Sequence, residues 1–263
     1  MSAHAPRTAS TPQPAMSLWR LETRRLLRTH RWTILAGVYV LFGLLGALGA
    51  RYLNELIAQM GGDITIIAPD PRPVDGLIQF VSNVSQLGLL GVVVVAAAAL
   101  AIDAHPERAA FLRTRVDRPG RLLIAPYVVT TVATVIALIA GTAVTVALTT
   151  ALIGSLPLAA VAVGTVYGAV YLGFAIAVVA VAGSIVRSQV AVVFLTLAVL
   201  LALPMLAMVE PLRAWLPSEL LTAVLALVEG APATDYVRAT VVGLLATAGL
   251  LALAMVRLDR REL

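Results

Sequence analysis

Apolar residues along this chain come in blocks that run for many positions without a charge, and polar residues gather in the gaps between them. Six blocks stand out, at 32–53, 77–102, 122–152, 158–186, 190–209 and 237–256. Each meets the roughly 20 residues that a helix needs to cross the hydrocarbon core of a bilayer. Backbone in hydrocarbon must satisfy its own hydrogen bonds, and unbroken apolar runs do so as helices. The pattern therefore predicts an all-α, polytopic membrane protein with six transmembrane helices. A seventh apolar run, LLTAVLALVEG at 220–230, is only about half a span long. Pro211, Pro217, Gly230 and Pro232 interrupt its surroundings, so 210–236 is expected to form a re-entrant or surface helix on the extracytoplasmic face.

Two of the polar gaps carry a helical pattern of their own. In MSLWRLETRRLLRTHRW, a helix over 16–31 sets Arg20, Arg24, Arg28 and Arg31 on one side and Trp19 and Leu26 on the other, with Met16 and Leu27 at the border. That is the arrangement of an interfacial helix lying on a leaflet, although a plain basic flank of the first span has a similar composition. In DAHPERAAFLRTRVDRPGRLL, Pro106 suits a first helical position and Glu107 favours a helix N-terminus, while Pro119-Gly120 ends the helix, giving a helix over about 105–118. Ala109, Leu112 and Val116 form an apolar stripe on it; Arg108, Arg115 and Arg118 gather with Phe111 on another face. A loop that only fixes topology needs arginines but not two faces and a Phe among charges, so the pattern favours docking to a protein partner. Residues 1–15, rich in Ala, Pro, Ser and Thr, read as a disordered tail. GALGA ending at Ala50 has the small residues of a signal-peptide cleavage site, but the arm before it is too long and too rich in arginine.

Composition and charge sharpen this picture. The chain is 60% hydrophobic and 13% charged, with a mean hydropathy of +0.95, far outside the range of a soluble domain. All 19 basic residues are arginines, and 15 of them fall in the N-terminal arm, the second and fourth gaps and the tail. The remaining four, Arg51, Arg72, Arg213 and Arg238, share the other side with Glu55, Asp63, Asp70, Asp75, Glu210, Glu219, Glu229 and Asp235. Positive charge stays inside, so both termini and the 105–118 helix are expected to be cytoplasmic. The basic excess reflects topology and not nucleic-acid binding.

The same inventory excludes several chemistries. Without lysine there is no phosphate-binding GxxxxGK[ST] loop, and without cysteine no disulfide, thiolate metal site or thiol nucleophile. Histidine occurs only at His4, His30 and His105, and no ionisable residue lies in the middle of a block, which argues against proton relays and intramembrane proteolysis. The chain is expected to be no enzyme, with no cofactor or metal of its own; any ATP would be bound by another chain. Uncharged polar residues do enter the blocks. Gln79, Asn83 and Gln86 recur at i, i+4 and i+7 beside Ser82, as hydrogen-bonding groups within the bundle or as the lining of a translocation path or subunit interface. Thr131, Thr134, Thr142, Thr145 and Thr149 share one face of the third block, interrupted by Leu138. Gly164 with Gly168, and Tyr167 with Tyr171, read as helix packing.

The order of an interfacial helix, six spans, a cytoplasmic helix between spans two and three and a tail reading RLDRREL resembles the permease subunits of ATP-binding-cassette exporters of the ABC-2 type. PDPRPVDGLIQFVSNVSQLGLLGVVVVAAAALA at 69–101 is similar to that family's entry into span two, and WLPSELL at 215–221 resembles its stretch before the last span. The chain departs from the family where Asp103, Ala109-Ala110 and Pro126 stand near the usual Glu, Gly-Thr pair and basic residue. The resemblance implies a permease domain over 16–263 that pairs with a second permease subunit, alike or different. It also implies that the 105–118 coupling helix, through Glu107, Arg108, Phe111, Leu112 and Arg115, sits on a separate cytoplasmic ATPase. The implied activity is ATP-driven export of a hydrophobic or amphipathic substrate across a bacterial inner or plasma membrane. The alternative is a non-transporting membrane subunit that relays ATPase work to an extracytoplasmic partner or scaffolds a complex; a facilitator needing no ATPase is weaker.

The topology is directly testable, because the chain has no native cysteine. Single cysteines introduced at Thr114 and Leu263 should react with a membrane-impermeant reagent only from the cytoplasmic side, and those at Pro71 and Pro232 only from the opposite side. Same-side labelling of positions 71 and 114 would sink the six-span arrangement.

Overall fold

The computed structural model of the chain describes residues 18–60, 70–101 and 119–260. The described residues form helices joined by short turns, without a strand, and six of the helical stretches are long and apolar enough to cross a membrane. Helix α1 is Leu18–Arg28 and α2 is Arg31–Met60, the latter carrying the first span. The second span is compound: α3 (Pro73–Asn83), a π-helical turn (Val84–Gly88) and α4 (Leu89–Leu100). A 3₁₀ turn (Pro119–Leu123) leads into α5 (Ile124–Leu152), followed by α6 (Leu158–Ile185) and α7 (Gln189–Leu206). Two short helices, α8 (Glu210–Arg213) and α9 (Glu219–Val228), precede a 3₁₀ turn (Ala233–Tyr236) and the final helix α10 (Val237–Arg260). The protein is a multi-pass α-helical membrane protein. The expected coupling helix and the 1–15 tail lie outside the described residues.

Local signals explain the ends. Pro73 occupies the first turn of α3, and the Asp75 carboxylate accepts the Arg72 backbone N–H at 2.7 Å, satisfying a donor that a helix N-terminus otherwise leaves open. Gly230, at φ +101°, closes α9 in the left-handed conformation that costs glycine nothing. The corner between α1 and α2 is made by His30 at φ 52°, braced by the Thr33 hydroxyl donating to the His30 carbonyl at 2.6 Å. The helix expected over 16–31 therefore stops at Arg28, and Arg31 opens the first span instead.

Helix α6 is the central pillar. Its span is 72% buried, against 17–44% for the other five, and it touches α4, α5, α7, α9 and α10. Residues 171–180, YLGFAIAVVA, are buried on every side. Lipid tails are as apolar as leucine, so close approach between helices has to supply the attraction, and small residues permit it. The α2–α5 crossing, the most extensive in the bundle, uses the same device. A methyl group on Gly141 would lie 2.6 Å from the Tyr39 carbonyl oxygen, and one on Gly43 would lie 2.5 Å from that of Gly141.

The threonines of α5 take part in this packing. Thr134, Thr142, Thr145 and Thr149 are buried together with Leu138, and Thr134 and Thr145 donate back to the carbonyls of Thr130 and Gly141, each at 2.9 Å. Thr131 leaves the stripe, its methyl carbon lying near Gly173 on α6, and Thr130 is the buried neighbour instead. Helix α9 dips into the bundle between α3 and α6: the space beside Gly164 is taken by Val224, and Leu220 and Pro217 approach Gly243 of α10. Tyr167 donates to the Ala233 carbonyl at 2.9 Å, and its ring lies tilted 5.6 Å from that of Tyr236, fastening the far end of this segment.

Replacement of Gly141 by Val should therefore force α2 and α5 apart, at a cost of about 1–3 kcal/mol, the usual penalty of overpacking. Thermal unfolding in detergent should register the loss. An unchanged midpoint would mean that the crossing is looser than described.

Candidate functional site

Alternation of six spans brings the N-terminus of α2, the C-terminus of α4, the N-terminus of α5, the α6–α7 turn and the C-terminus of α10 to one end of the bundle. That end carries Arg20, Arg24, Arg25, Arg28, Arg31, Arg187, Arg257 and Arg260, and the other end holds the acidic residues from Glu55 to Asp235 that the described residues include. Two places stand out as candidate sites: a polar stripe on the second span, and the arginine-rich end itself.

The stripe is formed by Gln79, Ser82, Asn83, Ser85 and Gln86. Gln86 sits at the midpoint of the 73–100 span, about 20 Å from its first residue at 1.5 Å per residue. Gln79 and Gln86 are both exposed, while Val81, Val84, Gly88 and Leu89 fill the buried side. The stripe thus faces away from the bundle, and hydrogen bonding between helices of this chain does not account for it. Among the described residues Gln79 makes no hydrogen bond, and the Gln86 amide reaches only Ser82 Oγ, at 3.4 Å. An unpaired amide transferred to an apolar medium costs roughly 2–7 kcal/mol. Gln86, at the middle of the span, needs a polar cover.

The π turn lies in the same stripe. One wide turn loosens the helical ladder at Val84–Gly88, and the Ser85 hydroxyl donates to the Ser82 carbonyl at 2.9 Å. Turns of this kind recur at functional positions. Behind it, the Tyr39 ring packs against Gly88, with a fully buried hydroxyl that has no partner. The cavity enclosed by Leu77, Phe80, Val84, Leu138, Thr142 and Leu221 holds about 20 Å³, room for a single water. That space is far too small for a substrate.

At the arginine-rich end, α1 is tied to the helices that flank residues 102–118. Glu22 is 7% exposed, pairs with Arg25 at 3.7 Å and shares a crevice with Arg31, Val95, Ala99, Pro126 and Thr130. Burial pushes its carboxyl above the ordinary glutamate value, against the opposing pull of Arg25 and Arg31. On the exit side, the Gly120 N–H donates to Asp259 Oδ1 at 2.8 Å, and a methyl group on Gly120 would lie 2.6 Å from the Met255 carbonyl. The last helix therefore holds the start of the third. Of the expected coupling residues, Glu107, Arg108, Phe111, Leu112 and Arg115 lie outside the described residues. Glu22 was not singled out from the sequence, although it is the only acid of α1; nor was the π turn, since VSQLG carries no local signal for one.

No protein-family model, curated protein or solved structure matches the chain.

The raised carboxyl of Glu22 gives a signed expectation. Between the ordinary glutamate pKa and the raised folded one, the folded chain holds a proton that the unfolded chain has released, so stability falls as pH rises through that window. Below it the contribution is fully present. The Glu22→Gln variant lacks this slope, so wild type should lose stability relative to it as pH rises through that window, read by thermal unfolding at a series of pH values. Parallel pH profiles would contradict the burial of a titrating Glu22.

Proposed function

We propose that this chain is the permease subunit of an ATP-driven exporter of the ABC-2 type, paired with a second permease through the polar face of its second span. ATP hydrolysis belongs to a separate cytoplasmic ATPase. The observation that carries the reading is the outward stripe of Gln79, Asn83 and Gln86, which runs from near one end of the second span to its middle at Gln86. Lipid gives such amides no partner, whereas a facing subunit or a transient aqueous path between two subunits does. Apolar walls interrupted by a few amides suit a hydrophobic or amphipathic substrate. The arginine-rich end is then cytoplasmic.

The ties at that end support a coupling role for 102–118. Its entry follows α4 beside the Glu22 crevice, and its exit is held by Asp259. A push delivered to that segment reaches the second span with its π turn and the last span together. The small size of the interior cavity favours a path between subunits; it equally suits the second reading, a subunit that relays ATPase work without moving a substrate itself.

Joint replacement of Gln79 and Gln86 by Leu tests the carrying observation. The isolated chain should stay folded, with equal or higher thermal stability, while association with the second permease and transport both fall. A stable variant that assembles and transports normally would mean the stripe merely faces lipid. The purified chain alone should hydrolyse no ATP, and Phe111→Ala should uncouple hydrolysis by the added ATPase from transport, an interface aromatic commonly being worth about 2 kcal/mol or more. Turnover by the chain alone, or full coupling in the Phe111 variant, would count against this assignment.

A further inference from the structure

At the arginine-rich end an open groove of about 460 Å³ runs between α1, α2 and the first four turns of α5. Its volume falls within the range of roughly 300–1,000 Å³ typical of ligand sites. Trp19 and Leu27 of α1 and Trp32 of α2 form its upper part. Val128, Val132 and Ile136 continue it down α5 at i, i+4 and i+8, a descent of about 12 Å along one helix face. Val132 and Ile136 are more than half exposed, and the two tryptophans are 47% and 37% exposed. A surface of this kind begins where indole rings settle, at the membrane–water boundary, and ends in hydrocarbon.

The edge of the groove is charged in a regular way. Three of the four groove-lining residues of α1 are followed by an arginine: Trp19 by Arg20, Thr23 by Arg24, Leu27 by Arg28. One residue is 100° around a helix, so the three arginines form a row alongside the apolar lining. All three are exposed, and the only acid of the helix, Glu22, is turned into the crevice on another side. A long apolar slot under a row of guanidiniums matches one chemistry: a fatty-acyl chain joined to an anionic headgroup.

We propose that this groove binds an anionic phospholipid, one acyl chain lying along Val128, Val132 and Ile136 and the phosphate held by Arg20 and Arg28. Occupancy braces α1 against α2 and α5. It depends on the membrane setting of the bundle and is independent of whether the chain exports anything.

The chain has three tryptophans, and Trp215 lies at the opposite end, under Arg238. In a Trp215→Phe background, fluorescence therefore reports Trp19 and Trp32 alone. The full chain is placed in phosphatidylcholine nanodiscs, and phosphatidylglycerol or phosphatidylcholine with brominated acyl chains is added in rising proportion. Brominated phosphatidylglycerol should quench at a proportion lower by on the order of tenfold. The pair Arg20→Gln and Arg28→Gln should bring the two quenching curves together, and the pair Arg20→Lys and Arg28→Lys should largely keep them apart. Ala36→Phe, which fills the groove, should reduce quenching by phosphatidylglycerol. Coincident curves in the parent chain mean an unselective annular surface and overturn the proposal. Absence of quenching by either lipid means that protein covers the groove and overturns it too. Preserved selectivity in the Gln pair removes the assigned arginines, and unchanged quenching in Ala36→Phe removes the groove.

Discussion

Everything in this bundle depends on how closely backbones can approach in a solvent that gives helices no reason to associate. Water drives apolar surfaces together; hydrocarbon does not, and packing and hydrogen bonds must do the work. The chain meets this with glycines at the α2–α5 crossing, where the Tyr39 and Gly141 carbonyls leave no space for a methyl group. Threonines back-bonded to their own helix add polar atoms without leaving them open. Where Gly164 admits Val224, the same device lets a half-length helix dip into the bundle. A bundle built by close approach has little internal space, and its small interior cavity reflects that.

A filled interior moves the functional question to the surface. Most of that surface is what lipid accepts, with Ile34, Leu41, Ile139, Phe194 and Leu245 among its exposed side chains. Two regions differ from a plain lipid-facing surface. The amide face of the second span is too polar for lipid, and the groove below α1 pairs apolar walls with a basic edge. One asks for a protein or water cover, the other for an amphiphile. Both adjoin the helices that flank residues 102–118, and they share a framework of α1, α4 and α5.

The six spans were legible because a block of apolar residues long enough to cross a bilayer has few alternatives to a helix. Boundaries were less so: the first helix ends at Arg28 because His30 adopts a left-handed conformation, which nothing in THRW announces. Gln79, Asn83 and Gln86 were legible as a stripe, but whether it faced into the bundle or out of it depended on which neighbours packed behind it. Thr131 shows the same limit, since its helical register matches Thr134 and Thr142 while its contacts are with α6. Glu22 and the Gly120–Asp259 bond were invisible for a related reason, the latter joining residues 139 positions apart. The resemblance to ABC-2 permeases concerns order and spacing alone.

The central claim is that this chain works as one permease in an assembly with a second permease and an ATPase. Its most direct test is extraction of the tagged chain from its native membrane into lipid–polymer discs, without detergent, followed by mass measurement and identification of the chains in each disc. The account predicts discs that hold two permease chains together with an ATP-binding chain. Discs holding only this chain and lipid, under conditions where other membrane complexes survive intact, would contradict it.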